Sequence, residues 1–118
     1  MSTIKVDTLV AADGSSAVTL TKQVAAKMNC SFVQSSATVQ DSFNISSLTD
    51  LYVGGTRANY SNNFDHANHP VTATSNWDGV LSHDTYNTDN NEIRGRNGSN
   101  TALADRGHCH IIGSGDLA

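Results

Sequence analysis

DSFNISSLTDLYVGGTRANYSNNFDHANHPV, residues 41–71, contains two extended runs around a Gly54-Gly55 turn and then a tight return to the only proline. Glycine tolerates positive φ, so a Gly-Gly pair between such runs reads as a hairpin. Phe43, Ile45 and Leu48 mark the first strand, which the pattern carries to about Asp50. Thr56, Ala58 and Tyr60 share one side of the return strand. Asn62-Asn63 closes it, and Pro70 ends the loop at Asp65–His69. Proline lacks a ladder donor, so the next strand starts after it or lies on an edge.

Outward from the hairpin, the same period continues. Ala26, Met28, Cys30 and Phe32 alternate with Lys27, Asn29 and Ser31, giving one apolar and one wetted face. Ser35-Ser36 breaks this strand. Downstream, Val71–Trp77, a short strand at Ile93–Arg96 and Gly107–Ile112 read as strands, while 78–91 reads as polar and turn-rich. Asn97-Gly98-Ser99-Asn100 is a further turn, and Gly113–Asp116 releases a short tail. Upstream, Ile4, Val6, Thr8 and Val10 alternate in an extended arm, Asp13–Ser16 is a turn, and Ala17–Leu20 is a short extended segment. Thr21–Ala26 carries at most a helical turn. Seven or eight short strands at regular spacing predict an all-β fold: an antiparallel β-sandwich, jelly-roll-like, at 23–118, with an N-terminal arm at 1–22.

Composition sets the limits. With 118 residues the chain suits one domain, but aromatics are only 6%, so its core is thin and self-association would help it. A formal charge of -4 gives no electrostatic footprint for nucleic acid or an anionic membrane surface. No apolar run is long enough to span a bilayer, and MSTIKVDTLV has no secretory h-region, which implies synthesis in a cytoplasm. Cys30 and Cys109 could form one disulfide but read as buried thiols.

The sharpest chemical feature is His108-Cys109-His110. Residues two apart on a strand point to one face, so both imidazoles converge there. One chain supplies two ligands; a threefold assembly would supply six, enough for a divalent transition metal on the axis. The alternative is a solvent-facing pair on an edge strand, with Cys109 and Ile111 packed inward. Asp65, His66 and His69 could form a second site with His83 or Asp84, and Asp84, Asp89, Asn91 and Glu92 could hold calcium; solvated loop composition accounts for both sets. Ser82-His83-Asp84 has the letters of a triad, but adjacent residues cannot form its relay. No catalytic constellation emerges, and no cofactor is expected beyond the candidate metal.

Four stretches, in order, resemble small tail-fibre-type structural proteins of marine and cyanobacterial tailed phages: STIKVDTLVAADGSSAVTLTKQ (2–23), TVQDSFNISSLTD (38–50), TRANYSNNFDHAN (56–68) and GDLA (115–118). Asn29-Cys30-Ser31 and His108-Cys109-His110 depart from the pattern of such proteins, so no site at those positions carries over. The resemblance implies a non-enzymatic virion component with a sandwich fold, made in the host cytoplasm and oligomeric, with a trimer favoured. Its partners would be its own copies and other virion proteins of tail or capsid. Ile4, Val6, Leu9, Val10, Val18 and Leu20 of the arm would dock to the particle. Two alternatives stand beside a tail fibre or fibre adaptor. One is a capsid-surface decoration protein. The other is a carbohydrate-binding module for a host-surface glycan, with Trp77 and Tyr86 stacking on a sugar from the loops Asn62–His69 and Asp78–Asn91.

Overall fold

The computed structural model describes residues 26–76 and 79–118. The arm residues Ile4, Val6, Leu9, Val10, Val18 and Leu20, most of the helical turn expected at Thr21–Ala26, and Trp77 lie outside them. The described chain forms eight strands: β1 (Ala26–Val33), β2 (Thr38–Phe43), β3 (Ile45–Tyr52), β4 (Gly55–Tyr60), β5 (Val71–Ser75), β6 (Gly79–Tyr86), β7 (Asn90–Asn97) and β8 (His108–Ser114). They make two antiparallel four-stranded sheets, β2-β1-β8-β5 and β3-β4-β7-β6. The β-sandwich read from the sequence is what forms.

Alternation fixes which faces meet. Met28, Cys30 and Phe32 of β1 and Cys109 and Ile111 of β8 point inward from the first sheet. Thr56, Ala58 and Tyr60 of β4 and Asn91 and Ile93 of β7 do so from the second. Phe32, Met28, Ile93 and Ile111 are the main apolar filling, with Phe64 closing one end from a loop. Cys30 faces Ile111 and Cys109 faces Phe32, so the two cysteines are diagonal neighbours rather than opposite. Both are buried free thiols, pushed up to about 11 chiefly by burial.

The structure corrects four local expectations. The run from Phe43 to Asp50 is not one strand: Asn44, at φ 59°, breaks it where the chain leaves one sheet for the other. Asparagine tolerates this left-handed conformation, and its amide holds it there by donating to the Asn62 carbonyl (3.0 Å) and accepting from the Asn62 N–H (2.7 Å). The stretch 78–91 is not mainly turn: Gly79–Tyr86 is β6, paired along its length with β7. The strand carrying His108 and His110 is not an edge, because β8 lies between β1 and β5. The tail beyond Gly113 is not released. Asp65 N–H donates to the Asp116 carbonyl (2.9 Å), Ala118 N–H donates to the Asn63 carbonyl (2.9 Å), and Leu117 bridges Phe64.

The two ends of the sandwich differ in chemistry. At one, a short 3-10 turn, Gln34–Ser36, follows β1 and buries Gln34. Its Nε2 donates to the Gly54 carbonyl (2.9 Å), and its Oε1 accepts from the Arg106 N–H (2.9 Å). At the other end the last residues of β4 and β6 meet the 61–70 loop around a group of rings.

Candidate functional site

That aromatic end is the most organised polar–aromatic cluster among the described residues. Tyr60 closes β4 and points inward by alternation. Its ring packs edge-on against Phe64 (centroids 5.1 Å) and His69 (5.6 Å). His69 stacks flat on Phe64 at 3.8 Å and is 2% exposed. Gly115, at φ +139°, lets the tail pass beneath this stack; a Cβ there would lie 3.1 Å from the His69 Cβ and 3.3 Å from Phe64.

Hydrogen bonds fix the His69 tautomer. Its Nδ1 lies 3.2 Å from the His66 carbonyl, which can only accept, so Nδ1 carries the proton. Its Nε2 then accepts from the Tyr60 hydroxyl at 3.0 Å. Burial pushes the Tyr60 phenol well up, which keeps it a donor. Burial lowers His69 from its ordinary value of 6.5, the largest of several causes, with the His66 contact opposing it. A buried neutral imidazole of this kind makes stability depend on pH with a definite sign. Below about 6.5 the unfolded chain takes up a proton that folded His69 resists, so stability falls as pH drops. Urea midpoints should therefore be lower at pH 5.5 than at pH 7.5, and the difference should shrink in His69→Gln. An equal or higher midpoint at pH 5.5 would contradict this assignment.

A bulge completes the cluster. Along β6, His83 faces Ile93 and would leave Tyr86 on the outer face by simple alternation. The register slips between His83 and Thr85, so Tyr86 instead sits opposite the inward-facing Asn91. Bulges commonly re-aim a side chain in this way. Tyr86 then lies 5.4 Å from His83 and 6.5 Å from His69, ring centre to ring centre. Fully buried Asn91 donates to the Thr85 carbonyl (3.2 Å), so its Oδ1 is free to accept from His83 Nδ1 at 2.7 Å. His83 Nε2 is left as a buried acceptor with no partner. Asn68, His69, Pro70, Val71 and Tyr86 line a cavity of about 350 Å³ beside this cluster.

The other candidates separate. His108 and His110 do share the outer face of their sheet, as their spacing required, with Cys109 and Ile111 packed inward. His108 Nδ1 lies 2.9 Å from Gln40 Oε1 and donates to it, leaving Nε2 as the free nitrogen. No group of three or more His, Cys, Asp or Glu side chains that could hold a metal occurs among the described residues. The candidate calcium ligands are engaged otherwise: Asp84 pairs with Arg94, Glu92 with Arg57 (2.5 Å), Asn91 is in the core, and Asp89 Oδ1 accepts from the Asn90 side-chain amide (2.8 Å). His69 and His83 are not solvated loop residues, as their composition suggested, but parts of the aromatic end. Tyr86 is 43% exposed at the cavity. Trp77, its expected partner, lies outside the described residues. The sequence named Tyr86 and the Asn62–His69 loop that carries Asn68, but gave no sign of the His83–Asn91 pair, which a cross-strand contact forms. No protein-family model, curated protein or solved structure matches the chain.

Proposed function

We propose that this chain is a non-enzymatic structural protein of a tailed-phage virion, acting as a tail fibre or fibre adaptor through self-association. The four ordered stretches that resemble such proteins motivate the reading. The observation that carries it in the structure is the outer face of the β2-β1-β8-β5 sheet. There Phe43 and Ile112, each 55% exposed, flank Asn29 from either side. Large apolar side chains in one row of an otherwise polar face suit burial against another copy, at about 25 cal/mol per Å² of apolar area. His108 and His110 stand on the same face. In a threefold assembly about that face, three copies would offer six imidazoles to a divalent transition metal, and the Gln40 contact would hold His108 with Nε2 outward.

Sedimentation of the purified chain, with metal analysis of protein made without a metal resin, tests this directly. The expected result is an oligomer that Phe43→Ser/Ile112→Ser returns to monomer. A wild-type monomer at high concentration would overturn it. A second measurement places the protein in the particle: deleting residues 2–20 should block incorporation while the sandwich stays folded. A few copies per particle fit a fibre or adaptor, whereas hundreds would move the assignment to capsid decoration.

A further inference from the structure

The cavity at the aromatic end has a consistent chemistry. Tyr86 offers a partly exposed ring, and Pro70 and Val71 supply apolar wall. Asn68 supplies an amide that is exposed and that no described residue engages. His69 contributes ring surface rather than hydrogen bonds, because both its nitrogens are already taken by Tyr60 and His66. None of these five lining side chains is a carboxylate, a lysine or an arginine. The volume, about 350 Å³, falls in the range of small-molecule sites, which pair apolar and aromatic walls with a few convergent polar groups.

From this arrangement we infer that the cavity is a binding site for an uncharged saccharide, with Tyr86 stacking on the C–H face of one pyranose and the Asn68 amide taking its hydroxyls. A pyranose has one face of C–H bonds and a rim of hydroxyls, which matches an aromatic ring set beside an amide. An anionic sugar would find no cation on the wall. A purely apolar ligand would make no use of the Asn68 amide at the cavity rim. The inference rests on the cavity alone and stands independently of the virion reading. Tyr86 is one of the two rings the sequence named for a sugar contact, and here it stands beside Asn68 and Pro70.

The test is a titration of the ¹⁵N-labelled full chain, followed by NMR. The probes are methyl α-D-glucopyranoside, methyl β-D-galactopyranoside and methyl α-D-mannopyranoside, with methyl glucuronide as the anionic counterpart. At least one neutral glycoside should give saturable shifts confined to the Asn68 side-chain amide and the backbone around 68–71 and 86. A single sugar ring should bind in the millimolar range, about 1 mM or weaker. Tyr86→Phe keeps the stacking ring and should bind within about threefold of wild type, while Tyr86→Ala should lose about tenfold or more. Tyr86 is exposed, so neither change removes core. The inference is overturned if none of the neutral glycosides gives a saturable shift. It is equally overturned if the glucuronide binds more tightly than the glucoside, or if Tyr86→Ala binds as wild type does.

Discussion

Replacing Phe32 by alanine is expected to remove about 3–5 kcal/mol of folding stability, the usual cost of emptying a fully buried aromatic position. Phe32 is 0% exposed and heads the largest buried side chains. It faces Cys109 on β8 and Val39 on β2, so the void would open beneath the inner strands of the first sheet, next to the Gln34 turn. Few side chains could collapse into it, because the neighbouring inward positions on its strand and the next are Met28, Cys30, Cys109 and Ile111, each in an inner row. Domains of this kind have about 5–15 kcal/mol in total, so the variant would sit near the edge of folding. Urea denaturation of both proteins measures the difference. A loss under about 1 kcal/mol would mean the core is more plastic than its packing indicates.

A second large loss, about 2–4 kcal/mol, is expected for Gln34→Ala, although glutamine is rarely a core residue. Gln34 is 1% exposed, and its amide joins three separate segments at the polar end. One is its own turn; the second is the β3–β4 turn through the Gly54 carbonyl; the third is the 104–107 loop before β8 through the Arg106 N–H. Truncation would leave the Arg106 N–H without its acceptor in a partly buried place. The Gly54 carbonyl would keep the Gly95 N–H at 2.6 Å, so the loss is concentrated on one donor and on the vacated volume. Gly95 shows how tight this end is: a Cβ there would lie 2.5 Å from Gln34 Oε1 and 2.6 Å from the Ala104 carbonyl oxygen. Thermal unfolding of Gln34→Ala, with Gln40→Ala on the exposed outer face as comparison, separates a buried clamp from a general effect of losing an amide. Similar small losses in both would refute the clamp.

The legible part of the fold was the part where burial and hydrophobicity coincide. Met28, Cys30 and Phe32 alternate with polar residues and are buried in that order. The hairpin at Gly54 was legible for a backbone reason, since Gly54 has φ 78°. Strand β6 was not legible because its inner face is partly polar. His83 occupies an inward position and satisfies itself with Asn91 from the next strand, so no apolar alternation marks the strand in sequence. The bulge then reverses the parity before Tyr86. The same two causes hid the candidate site. Its lining comes from the loop before β5 and the end of β6, and only the hydrogen bonds between strands show which side each ring takes. The strand order was beyond local reading altogether: nothing in His108–Ser114 distinguishes a central strand from an edge.

The position of β8 also has a meaning for how the chain reaches this structure. β1, the first described strand, has β8, the last, as one of its two neighbours, and the tail beyond β8 then clasps the 63–65 backbone. While the polypeptide is being synthesised, only β2 among the described strands is at hand to pair with β1, and β8 reaches its other edge once nearly the whole described sequence has emerged. Closure of the first sheet is thus a long-range event with a large loop entropy. It belongs with the slow folding of β-sandwiches, in milliseconds to seconds, rather than with that of local hairpins. Until β8 arrives, that edge and the uncovered row of Met28, Cys30 and Phe32 are where a nascent chain is most exposed to pairing with the wrong neighbour.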